Sequence, residues 1–561
     1  MSSASPGAQG GVATRRNSSL FLLVAPCPAP HGTHCSCRST AVSRIIRRHA
    51  LPNTSTPQSQ PNLQRMPTPV PIAVIDLGSN SFHLVVAEPQ NGHFKVIDRM
   101  REVIRLASGM DVDGRLTDAA MERALECMQR FGERVRHLPH AAVRAVGTNA
   151  LRRAKNATPF LKRAISALGH PIDVVSGIEE ARLIYLGVSH GLSENAALKL
   201  VMDIGGGSTE LIIGRHSEPL AMESLHMGCV SMSERYFSDG RIDAKHLRAA
   251  EIAARQEFEP IEATFRAQGW QSAVGASGSL LAIADALAAR GLSVDGITRE
   301  GLRELRAAVI ALGSVDELAK LGVREDRRPV FPGGLAIALG AFEELGIEHM
   351  RVSSSALREG LLYDLMGRIH REDARERTIE SLVQRFAADR RQAERVAITA
   401  QQLLGQVAQA WSLDTEEPQR LLEWAARVHE IGNTVSHSHY HKHGAYLLQN
   451  LDMPGFSRDE QRNLALLVRC HRRKIPISEL AAVGERSADD LIRLCVILRL
   501  AVVLHRARRA SDLPPLKLSV DKDLLKLSIP KNWLDAHALA AADLEQEASY
   551  LKTLGYKLKL K

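Results

Sequence analysis

The sequence predicts an α/β protein of two related lobes, followed by an all-α domain and a small C-terminal α+β domain. The first observation is an internal repeat, because residues 76–86 align without a gap on residues 203–213. Each copy has an aspartate at the end of an apolar strand, a turn of small residues, a serine and a second apolar strand. The second observation is that strand patterns disappear after about residue 369, where helical periodicity begins.

These patterns divide the 561 residues into five predicted segments. They are a disordered tail over 1–69, a first lobe over 70–198, a second lobe over 199–368, a helical domain over 369–512 and a small domain over 513–561. The length and the apolar content of 45% are those of a globular protein with sizeable cores.

The tail differs from the rest in composition and charge. Residues 1–65 are rich in Ser, Pro, Thr and Arg, and their seven arginines without an acidic residue supply +7 of the net charge of +9. Such a composition predicts disorder. Residues 15–23 resemble a twin-arginine export signal, but prolines cut its apolar run short. We expect instead an extension upstream of a start at Met66.

The folded part is nearly neutral in its first half and basic in its second. Residues 66–370 sum to about −3 and residues 371–561 to about +5. The four cysteines outside the tail are widely spaced, without a zinc spacing or a disulfide framework, which fits a reducing cytosol. No apolar run reaches the roughly 18 residues of a membrane span. We therefore expect a soluble cytoplasmic protein.

In the first lobe, apolar periodicity predicts a hairpin, helices and further strands in alternation. The predicted elements are strands over 72–76, 83–88, 142–147 and 172–175, and helices over 118–138 and 159–168. Ser176, followed three residues later by Glu179, predicts a capping box at the start of another helix. That interpretation occupies Glu179 and leaves Glu180, about 100° further round the helix, free to point elsewhere.

The second lobe repeats this order from Lys199. A hairpin is followed by a helix over 244–267 and a strand, turn and helix over 273–281. The turn Gly275-Ala276-Ser277-Gly278 is a third place where small residues precede a helix N-terminus, which is either an anion site or a tight turn without a ligand. Residues 516–529 alternate again in the C-terminal domain.

The two hairpins carry the residue types that phosphoanhydride chemistry needs. Glycine-rich turns expose N–H groups that can hold phosphate oxygens, and carboxylates can hold the cation that accompanies a polyanion. Asp76, Asp203 and Glu210 are the candidate cation ligands, and Glu180 is the candidate group for activating water. Glu180 could instead be a solvated residue of a first helical turn.

Basic residues follow the strand at 142–147. Arg152 or Arg153 could hold phosphate oxygens, although a surface arginine at a helix start is the commoner case.

Five motifs in order resemble the exopolyphosphatase and guanosine pentaphosphatase (Ppx/GppA) family over about residues 70–561. They are Asp76-Leu77-Gly78-Ser79-Asn80-Ser81, Gly147-Thr148-Asn149, Ser176 to Tyr185, Asp203 to Glu210 and Gly275-Ala276-Ser277-Gly278. The resemblance implies a pair of actin-like, ribonuclease-H-type lobes, Mg²⁺ as cofactor, Glu180 as catalytic base, and removal of terminal phosphate from inorganic polyphosphate. It also makes a homodimer plausible, without nucleic-acid or membrane partners.

On these motifs we expect metal binding by Asp76, Asp203 and Glu210. The residues expected to bind phosphate are Gly78, Ser79, Asn80, Ser81, Asn149, Arg152, Gly205, Gly206, Gly207, Ser208, Gly275, Ser277 and Gly278.

The helical domain resembles an HD phosphohydrolase domain, but His429 is followed by Glu430 rather than Asp. The histidines over 437–443 could ligate a metal, yet their spacing repeats no known site. Residues 458–509 hold twelve Lys/Arg against six Asp/Glu, including a cluster over 469–474 and arginines along a helix over 493–509. This surface is either a solvated face or a positive track for a polyanion, and we expect the track.

The motifs predict an exopolyphosphatase, and two rivals remain. One is a guanosine pentaphosphate 5′-phosphohydrolase with the same lobes and chemistry, which no nucleoside-specific motif in the sequence supports or excludes. The other is a non-catalytic sensor of polyphosphate or nucleotide. Intact candidate residues at Asp76, Glu180, Asp203 and Glu210 argue against a sensor.

Overall fold

A computed structural model describes residues 70–90, 93–192, 197–369, 373–483, 485–508 and 513–561. The expectations for the tail, namely disorder over 1–69, the export-like pattern and a start at Met66, lie outside the described residues. In the described ranges, no helix is long and apolar enough to cross a membrane.

The first lobe is a five-stranded mixed sheet with helices. Its elements are β1 (Ile72–Leu77), β2 (Ser81–Gln90), β3 (His93–Val103), α1 (Asp118–Val135), β4 (Val143–Gly147), α2 (Asn149–Arg153), α3 (Ala157–Leu168), β5 (Ile172–Val174) and α4 (Gly177–Gly191). The sheet order is β3-β2-β1-β4-β5, with antiparallel pairing of the first three strands and parallel pairing of the last three. The central strand β1 is apolar and almost entirely buried because helices cover both faces.

The second lobe repeats this arrangement and adds an edge strand. Its elements are β6 (Lys199–Ile204), β7 (Thr209–Arg215), β8 (Glu218–Leu225), α5 (Cys229–Tyr236), α6 (Ala244–Gln268), β9 (Ser272–Gly275), α7 (Gly278–Ala289), β10 (Ile297–Thr298), α8 (Arg299–Leu312), α9 (Phe331–Leu345), β11 (His349–Val352) and α10 (Leu357–Ile369). The strand order is β10-β11-β9-β6-β7-β8. Read from β8, it reproduces the order of the first sheet, which confirms the predicted pair of related lobes.

Helices α4 and α10 pack between the two sheets. Their apolar faces share one core with side chains of β1 and of the second lobe, including Val74, Val201 and Val274. The helices approach so closely at two glycines that a Cβ on Gly187 would overlap the carbonyl of Ala356, and one on Gly360 would overlap the carbonyl of Leu183. Because Glu180 lies on α4, this crossing positions the candidate base relative to both lobes.

The remaining chain is helical and ends in a three-stranded sheet. Its elements are α11 (Ala374–Arg385), α12 (Arg390–Trp411), α13 (Glu416–Val428), α14 (Tyr440–Asn450), α15 (Arg458–Cys470), α16 (Ile477–Ala481), α17 (Glu485–Leu504), β12 (Lys517–Asp521), β13 (Leu524–Ser528), α18 (Lys531–Ala536), α19 (Ala538–Leu551) and β14 (Lys557–Leu560). One apolar core joins the helices to the sheet. The all-α and α+β predictions are therefore confirmed.

The helical domain docks on the loop that begins α4. Val175 forms an isolated antiparallel bridge with Ser457, and the N–H of Gly455 donates to Glu179 Oε2 at 2.6 Å. Gly455 has a φ of +91°, and a Cβ there would press on the backbone of Arg375, so this close approach requires glycine. Residues 455–458 thus run beside the stretch that carries Glu180.

A buried ion network lies behind this contact. Asp364 on α10 pairs with Arg182 of α4, with Arg368 at 3.0 Å and with Arg144 at 3.5 Å. Arg368 also donates to the Gly455 carbonyl at 2.7 Å. These arginines hold the pKa of Asp364 well below its usual range, against the opposing effect of burial. The network therefore links both lobes to the helical domain.

Strand β3 was not predicted from the periodicity of the sequence. Its eleven residues include no fully buried side chain, because it forms the edge of the first sheet. The charged residues spread along it weaken the alternation on which strand prediction depends.

Candidate active site

Each hairpin places an aspartate at the end of its first strand. In the first lobe Asp76 is paired in register with His83, and in the second Asp203 is paired with Glu210. The register follows from apolar strands with short, small-residue turns between them. The two aspartates are partly exposed, whereas Glu210 is 1% exposed.

The two hairpin turns meet. A Cβ on Gly206 would lie 3.0 Å from the Cβ of Ser79, and one on Gly207 would lie 2.5 Å from Asn149 Oδ1. Asn149 Oδ1 is itself buried and has no hydrogen-bond partner within the described ranges. The structure therefore brings together three of the predicted phosphate-binding motifs, with glycine required where the turns approach each other.

Backbone N–H groups at both turns remain available. The N–H of Gly205 donates to the Ser208 carbonyl at 2.9 Å and closes the second turn. The next two residues, Gly206 and Gly207, and the corresponding Ser79 and Asn80, donate no backbone hydrogen bond to any residue that the structure describes. Free N–H groups of this kind suit anionic oxygens.

Glu180 is held by an arginine. It lies in the first turn of α4, and its Oε2 accepts from Arg152 Nη1 at 2.6 Å. The same Arg152 nitrogen donates to the carbonyl of Val175 at 3.2 Å. Both side chains are mostly buried, with 8% of the Arg152 side chain and 11% of the Glu180 side chain exposed. Arg153 is exposed, so the structure distinguishes two arginines that the sequence left open.

The carboxylates share one electrostatic environment. Burial raises the pKa of Asp76 to about 7, with Glu180 and Asp203 adding to the rise and Arg358 opposing it. Burial and Glu180 raise the pKa of Asp203 to about 7. Burial, Glu180 and Asp203 raise the pKa of Glu210 well above its usual value. The site therefore contains more negative charge than its own arginines neutralise.

This excess fits a cation, as does a buried Asp76 Oδ1 without a hydrogen-bond partner among the described residues. No group of three or more His, Cys, Asp or Glu side chains in the described ranges is arranged to hold a metal ion by itself. The arrangement suits Mg²⁺, which is commonly bound through one or two carboxylates together with substrate phosphates and water.

Arg358 reaches the site from α10. Its Nη1 donates to His83 Nδ1 at 2.8 Å, and the opposite ring nitrogen of His83 lies 2.9 Å from Ser81 Oγ. Burial and the charge of Arg358 lower the pKa of His83 to about 3, so the ring is neutral. The neutral His83 ring therefore connects Ser81, a predicted phosphate-binding residue, to Arg358. The guanidinium of Arg358 in turn lowers the pKa values of Asp76 and Asp203 against the effect of burial.

The third small-residue turn lies at the end of β9. Ser277 caps α7 by accepting from the N–H of Leu280 at 3.1 Å, and Ser279 Oγ donates to the carbonyl of Ile204 at 3.3 Å. A Cβ on Gly278 would meet the guanidinium of Arg327. The Gly275-Ala276-Ser277-Gly278 turn is thus adjacent to the second hairpin, and the guanidinium of Arg327 lies next to Gly278.

The chain matches two profiles that together cover most of its length. One is the Ppx/GppA phosphatase family over residues 85–369, and the other is domain III of the Ppx/GppA phosphatases over residues 374–548. The chain belongs to the Ppx/GppA phosphatase family. It is accordingly an actin-like phosphoanhydride hydrolase with the helical domain III of that family.

Two curated members of the Ppx/GppA family show the extent of the similarity. The "Guanosine-5'-triphosphate,3'-diphosphate pyrophosphatase" of Aeromonas hydrophila subsp. hydrophila is 40% identical over 488 residues, which are 87% of this chain and 98% of that protein. The protein of the same name from Pseudoalteromonas translucida is also 40% identical, over 87% of this chain and 97% of its own length.

Solved structures of Ppx/GppA proteins match about half of the chain. An exopolyphosphatase from Cytophaga hutchinsonii has 26% sequence identity and a TM-score of 0.48, covering 53% of this chain and 98% of that one. The Aquifex aeolicus Ppx/GppA family member has 24% identity and a TM-score of 0.46, covering 54% of this chain and 98% of its own.

The predicted capping box in the Ppx/GppA motif at Ser176 is only half correct. Ser176 Oγ accepts from the N–H of Glu179 at 3.1 Å, as expected for a cap. The Glu179 carboxylate does not return to Ser176. It accepts from Arg182 Nε at 2.7 Å and from the N–H of Gly455, because the helical domain supplies a donor that no local pattern contains. The neighbouring Glu180 takes no part in the cap and instead accepts from Arg152.

Four further residues lie close to the predicted site of this Ppx/GppA protein. Arg358 and Arg327 supply positive charge, His83 orients Arg358, and Ser224 Oγ donates to Glu210 Oε1 at 2.9 Å. Two of these have a sequence signal that could have identified them, since Arg358 follows the small-residue run Ser353-Ser354-Ser355 and His83 lies within the repeated hairpin over 76–86. The other two lie in segments without a recognisable pattern.

The arginines of the predicted positive track that follow residue 490 have acidic partners. Arg499 is fully buried and pairs with Glu547, Arg493 lies 3.2 Å from Asp490 of the same helix, and Arg506 and Arg508, just beyond α17, pair with Asp543 and with Glu430. Arg509 lies outside the described residues. These partners reduce the positive charge of this part of the track, whereas the cluster over 469–474 is its other part. The histidines over 437–443 form no three-residue metal site within the described part of the chain.

Proposed function

We propose that this Ppx/GppA protein hydrolyses the terminal phosphate of the 5′-triphosphate in guanosine-5′-triphosphate,3′-diphosphate. The observation that carries the proposal is the similarity to three curated proteins of that name, at 39–40% identity over 87% of this chain and 97–98% of theirs. The oxygen of a water molecule bonds to the terminal phosphorus while the bridging P–O bond breaks. The products are inorganic phosphate and guanosine 5′-diphosphate,3′-diphosphate.

In this proposal Glu180 accepts the proton of the attacking water. Its carboxylate lies in a first helical turn and is oriented by Arg152 at 2.6 Å. The free N–H groups at the turns of Ser79, Asn80, Gly206 and Gly207 would hold oxygens of the transferred phosphate. These backbone donors stabilise the charge that develops during in-line displacement.

Mg²⁺ is the proposed cofactor, and Asp76, Asp203 and Glu210 are its proposed protein ligands. The buried, unpartnered Asp76 Oδ1 and the raised pKa values of Asp76 and Asp203, to about 7, support the assignment, because a cation would stabilise their ionised forms. Bound Mg²⁺ would neutralise phosphate oxygens as a Lewis acid.

Inorganic polyphosphate is the second candidate substrate, and one surface feature favours it. A cavity of about 770 Å³ in the helical domain, here named the basic cavity, has no acidic residue in its lining. Its cationic side chains are Lys442, Arg469, Arg472, Arg473 and Lys474, and His437, His439 and His441 complete its polar wall. A polymer longer than the cleft could use such a surface.

A buried arginine fixes the backbone of the loop that lines the basic cavity. Buried Arg499 donates to the carbonyl of Arg473 at 3.0 Å and also to that of Cys470, so it fixes the loop that carries three of the cations. Arg472 lies over the ring of Tyr440, with its Cζ 4.4 Å from the ring centroid. The positive surface is therefore preorganised in the cluster over 469–474, which is one of the two parts of the predicted track.

The deciding experiment measures phosphate release from pure guanosine pentaphosphate and from long-chain polyphosphate, each with Mg²⁺ and with excess EDTA. We expect one phosphate per pentaphosphate molecule, Mg²⁺ dependence, and a loss of about 10²–10⁴-fold in kcat for Glu180→Gln. Release from polyphosphate alone would replace the nucleotide assignment with the polyphosphate one. Near-normal turnover by the variant would overturn the role of Glu180.

A further inference from the structure

We propose that Arg458 of the helical domain and Arg152 of the first lobe form an anion subsite for the phosphates of the leaving part of the substrate. The identity of that substrate rests on the proposed function, but the subsite requires only that the substrate contain consecutive phosphates. The helical domain would then supply a substrate-binding residue to a site otherwise built by the two lobes.

The first ground is the path of the backbone. Ser457 is fully buried and pairs with Val175 in the antiparallel bridge, and Arg458 is the next residue. Val175 is also the residue whose carbonyl accepts from Arg152 at 3.2 Å. Val175 therefore contacts both Arg152 and Ser457, the residue before Arg458. This juxtaposition places the backbone of Arg458 and the side chain of Arg152 beside the segment that begins α4 and carries Glu180.

The second ground is that this segment is rigid. Ser457 caps α15 in a reciprocal capping box with Glu460, whose carboxylate accepts from the Ser457 N–H at 2.7 Å. Two residues earlier, Gly455 is held by Glu179 through its N–H and by Arg368 through its carbonyl. The backbone of Arg458 is thus held on both sides, which fixes where its side chain begins relative to Val175.

The third ground is the charge of Arg458. In the described ranges it has no acidic partner, because Asp459 pairs with Arg462 at 2.9 Å and Glu460 pairs with Arg375. A cation in the first turn of a helix also opposes the helix dipole. The residue is solvent-accessible, but surrounding protein atoms desolvate its guanidinium in part, and this desolvation and the charge of Arg152 lower the pKa of Arg458. A guanidinium in such a repulsive position gains most from an arriving anion.

The position indicates which phosphates are bound. The carboxylates and free N–H groups that would hold the terminal phosphate are at the hairpin turns, whereas Arg458 belongs to the helical-domain side of Arg152. A phosphate chain whose end lies at the turns would pass Arg152 toward Arg458. The 5′-phosphates of a nucleotide and the interior of polyphosphate share this chemistry.

The test compares Arg458→Gln with Arg462→Gln, a matched loss of one charge on an exposed part of the same helix. For Arg458→Gln we expect KM to rise about 10- to 100-fold with kcat changed less than about threefold, on whichever substrate the wild type hydrolyses. Arg458→Lys should recover part of the loss. In the Glu180→Gln background, the same fold-change should appear in the Kd for guanosine pentaphosphate by calorimetry.

The outcomes separate the subsite from the proposed function. If the wild type hydrolyses only polyphosphate, the nucleotide function fails, and the polyphosphate KM still tests Arg458. A higher KM for Arg458→Gln on either substrate, with thermal unfolding equal to that of Arg462→Gln, supports the subsite. Equal KM values for the two variants on every hydrolysed substrate, or a fall in kcat alone, would overturn it.

Discussion

Asp76 shows at the scale of one residue how the site opposes the stability of the protein that contains it. Its Oδ1 is buried without a partner among the described residues, and burial is the main reason that its pKa rises to about 7. A carboxyl with a raised pKa in the folded state binds its proton more tightly than in the unfolded chain. Its stabilising contribution is complete below pH 3.8 and is lost as the pH rises through about 7.

Asp76→Asn should therefore stabilise the metal-free protein at high pH. With EDTA present, we expect the unfolding midpoints of variant and wild type to be close at pH 4 and to separate toward pH 8, by at most about 4 kcal/mol in the free energy of unfolding. Thermal unfolding at several pH values measures the difference. Asp239→Asn, at an exposed aspartate, should show no such separation, and parallel curves for Asp76→Asn would contradict the prediction.

The neighbouring arginines Arg152 and Arg153 provide a second test at this scale. Only Arg152 contacts Glu180, so Arg152→Gln should lower kcat by about 10²-fold, while Arg153→Gln should keep kcat within about twofold. Steady-state phosphate release on the same substrate gives both values. Similar losses in the two variants would show that general charge, and not the contact with Glu180, is responsible.

Motifs in the sequence were sufficient to select Asp76, Asp203, Glu210 and Glu180 as candidates, because each lies in a strand or a capped helix start with a strong local pattern. They did not select Arg327, or Arg358, for which the preceding serines were the one signal. Both arginines lie far along the chain, and only the packing of α10 and of the Gly278 turn brings them to the carboxylates. Local periodicity does not contain that information.

At the scale of elements, the crossing of α4 and α10 determines where Glu180 lies. Gly360→Ala would force a Cβ onto the Leu183 carbonyl and separate the helices, so we expect both a lower unfolding midpoint and a lower kcat. The loss of stability should be about 1–3 kcal/mol. Denaturant unfolding and phosphate release test the two effects together.

Gly405 offers the matched control for this prediction. It lies within α12, and no atom lies within 4 Å of the position of its missing Cβ. Gly405→Ala should stabilise the protein by up to about 1 kcal/mol, because alanine is the better helix former. A stable and fully active Gly360→Ala variant would show that the crossing tolerates separation.

The crossing itself illustrates a limit of prediction from sequence. The capping residue Ser176 and the apolar face of α4 predict a helix at the correct position. Neither feature indicates that α10, some 180 residues later, packs against it through a glycine on each helix. Helix existence is a local property, whereas the partner of a helix depends on the whole fold.

At the scale of the molecule, Asp364 is the common partner of three arginines that join the lobes to the helical domain. Asp364→Asn would remove the carboxylate that three mostly buried arginines share and leave each of them one acidic partner, so we expect a loss of up to about 5 kcal/mol in the free energy of unfolding at pH 7. Because the pKa of Asp364 lies well below its usual range, this stabilising contribution should be lost only in strong acid.

The control for this network is Asp326→Asn, since Asp326 pairs with Arg101 and Arg324 at the surface. Its loss should cost less than about 1 kcal/mol, because solvent screens such pairs. Denaturant unfolding of both variants at pH 7 and in high salt checks the contrast. Equal losses in the free energy of unfolding for the two variants would show that the Asp364 network contributes no more than a surface ion pair.

The contact between Glu179 and Gly455 also has a consequence for synthesis of the chain. The two residues are 276 positions apart, and translation at about 5–20 residues per second separates their appearance by roughly 15 to 55 seconds. By the end of that interval both lobes have been synthesised, but until then Val175 lacks its bridge partner Ser457 and Glu179 lacks its backbone donor. The nascent protein therefore contains every carboxylate of its candidate site before the segment that carries Glu180 has all of its contacts.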